Sequence, residues 1–348
     1  MLLQNTERGL FCPAGDFYID PWEPVDMAVI THGHSDHARP GSHHYLTEAT
    51  GKLILQSRLG SDAAIQTVRY GETLNRHGVS ISLHPAGHIL GSAQVRLEYS
   101  GEIWVISGDY KLENDGLCPA FEPIRCHTFV SESTFGLPIY RWHSQAEIFQ
   151  EIHQWWRGNQ MAKRTSVLFC YALGKAQRIL AGLDTSVGPI FLHGAQERFL
   201  PAYRAAGATF PPTTRADAQN VKRAEGAGLV LAPESAMNSP WLRKFGDVST
   251  AFASGWMQVR GPRRRRALDR GFVLSDHADW DGLLEAIKAT GAEKVWATHG
   301  FTSPLVRYLR EIGLQAEAVE TRFRGELEEE PQPTPEPSSA VLEDPEAS

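Results

Sequence analysis

The stretch Thr31-His32-Gly33-His34-Ser35-Asp36-His37 constrains this chain more than any other. It follows the apolar run Ala28-Val29-Ile30, so three histidines and an aspartate crowd into the turn at a strand end, where side chains converge rather than alternate. Convergent imidazoles and a carboxylate are what a metal ion requires. Neutral imidazole suits zinc, iron and manganese, and the carboxylate adds the negative charge that lets a second cation sit nearby. A lone histidine would carry no such weight.

Other parts of the chain must then supply the remaining ligands. Three segments end a strand pattern with a ligand-type residue: His88 in Pro85-Ala86-Gly87-His88-Ile89-Leu90-Gly91-Ser92, Asp109 in Ser107-Gly108-Asp109-Tyr110, and His299 in Thr298-His299-Gly300. Coordination chemistry divides the set into His32, His34 and His88 for one cation and Asp36, His37 and His299 for another, with Asp109 bridging and a hydroxide in the shared position. Two divalent ions, Zn2+ in the first place and Mn2+ as the alternative, would sit about 3.5–4 Å apart, lower the pKa of the shared water and stabilise a phosphoryl oxygen. Asp20, in Ile19-Asp20-Pro21, is a candidate to hydrogen-bond one of the ligands from behind. For proton transfer the candidate is His277, in Ser275-Asp276-His277-Ala278-Asp279-Trp280, with Glu132 to orient it and keep it protonated. Asp36 counts with His277 and Glu132 as a catalytic candidate as well as a ligand.

Around these motifs the pattern changes twice. Up to residue 143 the chain reads as short strands and turns, among them 52–55 and the alternating Val79-Ser80-Ile81-Ser82-Leu83. At Ser144-Gln145-Ala146-Glu147 a capping box opens a helix whose apolar face is Ile148, Ile152, Trp155 and Trp156. Strands at 167–171, 189–193 and 229–232 then alternate with helices at 175–183 and 197–206, which predicts a parallel α/β unit. Beyond residue 270 come a strand at 272–275, a helix at 280–290, a strand at 294–297 and a helix at 303–312.

The formal charge of −7 conceals an uneven distribution: residues 326–348 hold eight acidic residues and no basic ones, so the remainder carries +1. Residues 151–270 hold 18 Lys plus Arg against 8 Asp plus Glu, including the run Arg263, Arg264, Arg265 and Arg266. A positive segment beside a metal site points to a polyanionic substrate. No apolar run reaches the roughly 18 residues of a membrane span, and the four cysteines form no Cys-x-x-Cys pair. The expectation is a cytoplasmic protein without a membrane partner. The acidic, proline-bearing stretch 326–348 is expected to be disordered.

The motif set resembles a known family. His32-Gly33-His34-Ser35-Asp36-His37, His88, Asp109 and His299 look like the metal motifs of the metallo-β-lactamase fold, and Glu132-Ser133-Thr134, Ser275-Asp276-His277 and Thr298-His299-Gly300 resemble the extra motifs of its β-CASP branch. That branch includes the Artemis-like DNA repair nucleases and mRNA 3′-end processing nucleases. With Ala172-Leu173-Gly174-Lys175-Ala176-Gln177-Arg178-Ile179-Leu180 and His193-Gly194-Ala195, the set is most similar to the bacterial ligase-associated DNA exonuclease group. The resemblance implies an αββα sandwich, residues 1–143 and 271–325, split by an α/β cap at 144–270 and followed by the tail 326–348. It implies metal-dependent hydrolysis of nucleic acid with His277 as general acid near Glu132. DNA is the expected substrate, as single strands or ends, and a DNA ligase and a helicase of the same pathway are the expected protein partners. Lys175, Arg178 and Arg263 to Arg266 are the candidate nucleic-acid contacts. The motif that carries His277 reads Ser-Asp-His, where some RNA-processing relatives have Ser-Gly-His or Ser-Ala-His, so RNA specificity does not carry over from them. An RNA-processing nuclease of the same branch is the main alternative. A small-molecule thioester or lactone hydrolase, or a subunit that binds nucleic acid without cleaving it, would share only part of the pattern.

Overall fold

Alternation along neighbouring strands divides the interior of this protein into separate cores. In Glu102–Ile106, Trp104 and Ile106 face one apolar cluster while Val105, between them, faces another. Val130 and Phe129 divide the same way in Thr128–Ser133, as do Trp296 and Val295 in Lys294–Gly300. A period of two can serve two cores only if the sheet is covered on both faces.

The computed structural model describes residues 1–259 and 268–323. Those three strands belong to a seven-stranded sheet that also contains Thr73–Arg76, Val79–Pro85, Ala93–Tyr99 and Gln315–Ala318. One face shares a core with a six-stranded sheet running from Gln4–Thr6 to Ile65–Val68, which contributes Phe17, Ile19, Val29 and Leu46. The other face is covered by the helices Trp280–Thr290 and Thr302–Glu311 through Leu283, Ile287, Leu305 and Leu309. The helix Lys52–Leu59 packs Leu55 behind the six-stranded sheet, against Ala28, Ile30 and Tyr45.

A third, six-stranded sheet is built from strands between Thr165 and Phe272, and every pairing in it is parallel. Its central strands are buried on both sides: Leu168 and Cys170 face one cluster, Val167 and Phe169 the other. Apolar runs without alternation are what such a sheet requires. The helix Gln145–Met161 lies against it, opened by the Ser144–Glu147 capping box and burying Ile148, Ile152 and Trp156.

Two predicted elements differ. The apolar run at 52–55, expected as a strand, forms the first turn of a helix, and a short apolar run carries too little period to distinguish the two. The strand expected at 272–275 is Arg270–Phe272, which pairs with Val248–Ala253 at the edge of the third sheet. Among the described residues no helix is long and apolar enough to cross a membrane.

Strand direction explains where the motifs gather. Glu102–Ile106, Thr128–Ser133 and Lys294–Gly300 are parallel neighbours. Val79–Pro85 runs the same way, being antiparallel to Ala93–Tyr99, which is itself antiparallel to Glu102–Ile106. Their C-terminal ends therefore share one edge of the sheet, and His88, Asp109, Glu132 and His299 all lie there.

Candidate metal centre and active site

The turn after Met27–Val29 folds back on itself, with the amides of His37 and Ala38 donating to the carbonyl of His34 at 3.2 and 2.8 Å. This compact loop aims His32, His34 and His37 toward the sheet edge. Asp109 enters from the opposite wall at a tight approach: Gly108 has φ +56°, and a Cβ there would lie 2.7 Å from Thr31. Only glycine lets the two loops meet so closely.

Asp109 separates two groups of donors. Its Oδ2 lies 3.4 Å from His32 Nε2 and 3.7 Å from His88 Nε2, while its Oδ1 lies 3.5 Å from His37 Nε2 and 3.1 Å from His299 Nε2. His34 Nδ1 completes the first group, 3.1 Å from both His32 Nε2 and His88 Nε2. His32, His34, His88 and Asp109 thus form one set of converging donors and His37, Asp109 and His299 a second. Asp36 stands at the margin of the second, with Oδ2 3.8 Å from His37 Nε2.

Hydrogen bonds on the far side of each ring assign its tautomer. His34 Nε2 faces the Leu173 carbonyl at 3.1 Å, and His88 Nδ1 faces the Asp276 carbonyl at 2.7 Å. Carbonyls only accept, so these nitrogens carry the protons. His37 Nδ1 donates to Asp20 Oδ2 at 2.7 Å. Thr31 Oγ1 gives its proton to Asp20 and Thr298 Oγ1 gives its own to the Ser131 carbonyl, which leaves both hydroxyls to accept from His32 Nδ1 at 3.1 Å and His299 Nδ1 at 3.2 Å. Each of the five rings, when neutral, therefore turns a lone pair inward. Three such lone pairs at 3.1 Å repel unless a cation lies among them. In the second group His37 Nε2, His299 Nε2 and Asp109 Oδ1 are buried without a hydrogen-bond partner among the described residues. The donor chemistry of both groups fits divalent metal ions.

Electrostatics agree with that fit. Burial holds His88 and His34 well below the ordinary histidine value, helped by the neighbouring rings, and lowers His32 as well. Burial also opposes the charge on His37, yet the carboxylates of Asp109, Asp36 and Asp20 raise it to about 10. Without metal, a proton on His37 offsets those carboxylates. A cation at Nε2 would replace it.

Beside the first group stands a second pair. His277 Nδ1 lies 2.8 and 3.0 Å from the two oxygens of Glu132, and both residues are buried. Glu132 is held by the Tyr110 amide at 2.7 Å and by the Thr134 hydroxyl, while Trp142 Nε1 donates to the His277 carbonyl at 3.0 Å. A cleft of about 280 Å³ opens beside His299, lined by Gly300, Thr302, Val319 and Glu320.

Lys175 and Arg178 differ from their expected role as nucleic-acid contacts. Lys175 is 0 % and Arg178 2 % exposed, and both are paired with Asp276, so neither side chain can meet a phosphate arriving from solvent. Their charge is used inside the protein. Arg263, Arg264, Arg265 and Arg266 lie outside the described residues. His193 caps the short helix Gly194–Glu197, its Nδ1 accepting from the Ala195 amide at 3.1 Å. Sequence reasoning missed the hydroxyls of Thr31 and Thr298, although the recurrence of Thr-His-Gly at 31–33 and 298–300 was a usable signal. It also missed Phe323, which stacks on the His37 ring at 4.3 Å and meets the His299 ring edge-on.

No family model matches the chain. It is 30 % identical over 315 residues to a probable DNA ligase of Opitutus terrae, covering 90 % of this chain and 30 % of that protein. It is 33 % identical over 143 residues to endoribonuclease YSH1 of Saccharomyces cerevisiae, and 26 % identical over 146 residues to cleavage and polyadenylation specificity factor subunit 3 of Dictyostelium discoideum. Those matches cover 40 % and 41 % of this chain and 18 % of each relative, so the chain spans less than a third of these relatives. A crystal structure of a protein of unknown function from Enterococcus faecalis superposes with a TM-score of 0.56 at 12 % identity, covering 84 % of this chain and 78 % of that one. With the five histidines and Asp109 gathered at one sheet edge, this chain belongs to the β-CASP branch of the metallo-β-lactamase family.

Proposed function

We propose that this protein is a metal-dependent DNA exonuclease acting in repair, an αββα sandwich of residues 1–143 and 271–325 with 144–270 as an inserted cap. The observation that carries this reading is Asp109, whose two oxygens face two separate groups of inward lone pairs. Two divalent ions, Zn2+ or Mn2+, held by His32, His34, His88 and Asp109 and by Asp36, His37, His299 and Asp109, would lower the pKa of a water between them and stabilise a phosphoryl oxygen. Asp20, Thr31 and Thr298 keep the rings turned toward the reacting phosphate. His277 carries the other half of the reaction. With Nδ1 held by the Glu132 carboxylate, which would stabilise the charged ring, Nε2 would give its proton to the alkoxide that departs as the P–O bond breaks. Water supplies the hydroxyl that ends on the phosphate.

DNA is favoured over RNA because the match that spans 90 % of this chain is to a protein named for DNA ligation. A DNA ligase, the activity for which that relative is named, and a helicase of the same pathway are the working partners proposed. All four cysteines are free, which fits the reducing conditions of the cytoplasm. The matches to an endoribonuclease and a polyadenylation factor favour the second reading, an RNA-processing nuclease. End-labelled single-stranded DNA and RNA of one sequence, incubated with Zn2+ or Mn2+, decide between them. The expected result is a ladder from DNA alone, reduced on the order of 10²–10³-fold or more by Asp109→Asn. Cleavage of RNA alone would make the second reading correct, and intact strands of both kinds would end the nuclease assignment.

A further inference from the structure

The two facing sheets do not close this metal centre by themselves. The carbonyls that hold His34 and His88 belong to Leu173 and Asp276, respectively 139 and 188 residues away in the chain. Leu173 lies just ahead of the helix Lys175–Gly182, and Asp276 directly precedes His277. That helix ties the two carbonyl-bearing segments together. Lys175 Nζ lies 3.6 Å from Asp276 Oδ2, and Arg178 Nη1 donates to Asp276 Oδ1 at 3.2 Å and to the Ser275 carbonyl at 2.5 Å. Arg178 also reaches Glu113 at 3.1 Å and Gln145, so the segment following Asp109 joins the same cluster.

Apolar packing fixes the seam. Ile54, Ile89 and Leu90 share one cluster with Leu173, Phe199 and Tyr203. Gly174 has φ +87°, and a Cβ there would lie 2.3 Å from Ile89 Cγ2, so the segment that carries the Leu173 carbonyl runs hard against the one that carries His88. A buried cation paired with a buried carboxylate at such a seam costs desolvation and is weak evidence for stability, but it does fix geometry.

We propose that Lys175 and Arg178 are positioning residues for the His32–His34–His88 group. By gripping Asp276 they lock two backbone carbonyls onto two imidazole N–H groups, so the segment around Lys175 sets how tightly this group holds its cation. The His37–His299 group, held by Asp20 and Thr298, does not depend on them. The inference rests on the two-cation reading given above.

Cobalt titration of the metal-stripped, full-length protein tests it, with the visible absorption of Co2+ reporting each site. The parent protein is expected to take up two ions. In Lys175→Met one ion keeps its affinity and the other weakens by about 10–100-fold, the usual cost of losing an outer partner of a ligand. The pair Lys175→Met/Asp276→Asn removes the Lys175 charge with its carboxylate and leaves Arg178 to Glu113, and is expected to show the same selective weakening, with the melting temperature of the metal-free protein separating that local effect from general destabilisation. Parental affinity at both sites in the paired variant would overturn the inference, as would equal weakening of both ions. Uptake of fewer than two ions by the parent protein would instead remove the two-cation reading beneath it.

Discussion

The two halves of the candidate metal centre are built from the same residue type but are supported in different ways. In the first, His34 and His88 give their outer protons to backbone carbonyls brought in by distant segments. In the second, His37 and His299 give theirs to side chains, the Asp20 carboxylate and the Thr298 hydroxyl, which lie next to the sheet strands themselves. The difference shows that a ligand's identity and its orientation are separate problems. Histidine solves the first wherever it is placed; the second is solved by whatever packs behind it. One half is therefore sensitive to how the third sheet and its helices dock, and the other is sensitive only to local substitutions.

That contrast can be tested from its strongest consequence downward. Asp109, Glu132 and His277 also form a convergent group, so His277 could be an acid or one more ligand. As an acid, His277→Gln should lower turnover by about 10²–10⁴-fold while two metal ions remain bound. Metal analysis showing one ion in that variant would move His277 into the first half of the centre. Asp20→Asn should act mainly on the other half, reducing affinity for one ion by about 10–100-fold through His37 and disturbing the ion that Lys175→Met weakens only through the Thr31 hydroxyl behind His32. If both substitutions weakened mainly the same ion, the two halves would not be independent. Thr298→Val removes the neutral acceptor behind His299 together with the donor to the Ser131 carbonyl, and the acceptor alone faces the ligand, so a loss of about two- to tenfold in affinity is expected, the value of one ordinary hydrogen bond. A loss as large as that from Asp20→Asn would mean that orientation, not charge, governs the second half.

Asp20 shows how such support is built into the backbone. It sits at φ +43°, a conformation uncommon for a residue with a side chain. There its carboxylate takes the Thr31 amide at 2.8 Å, the Thr31 hydroxyl at 2.5 Å and His37 Nδ1 at 2.7 Å. Three bonds to one buried carboxylate offset the conformational cost. The sequence offered Asp20, in Ile19-Asp20-Pro21, as a candidate to support a ligand, but only the fold joins it to His37.

The ligand-type residues were legible because their chemistry is specific. His-x-His-x-Asp-His admits few uses, and the strand patterns before His88, Asp109 and His299 were enough to put each at a strand end. The parallel unit was legible too, since apolar runs such as Val167-Leu168-Phe169 suit a sheet buried on both faces. Lys175 and Arg178 were misread for a physical reason. Charge in a sequence is by default a surface property, and nothing local reveals that a carboxylate about 100 residues away will bury with it.

By itself, then, the sequence determined the residue types that can hold metal and move a proton, together with the succession of strands and helices that carries them, because both are local properties of composition and period. Tertiary structure alone decided that Asp109 stands between two groups, that Glu132 meets His277 across 145 residues, and that the carbonyls of Leu173 and Asp276 orient His34 and His88. Every residue has a carbonyl, so a bond to one leaves no mark in the sequence; only the packing of one segment against another selects which carbonyl it will be.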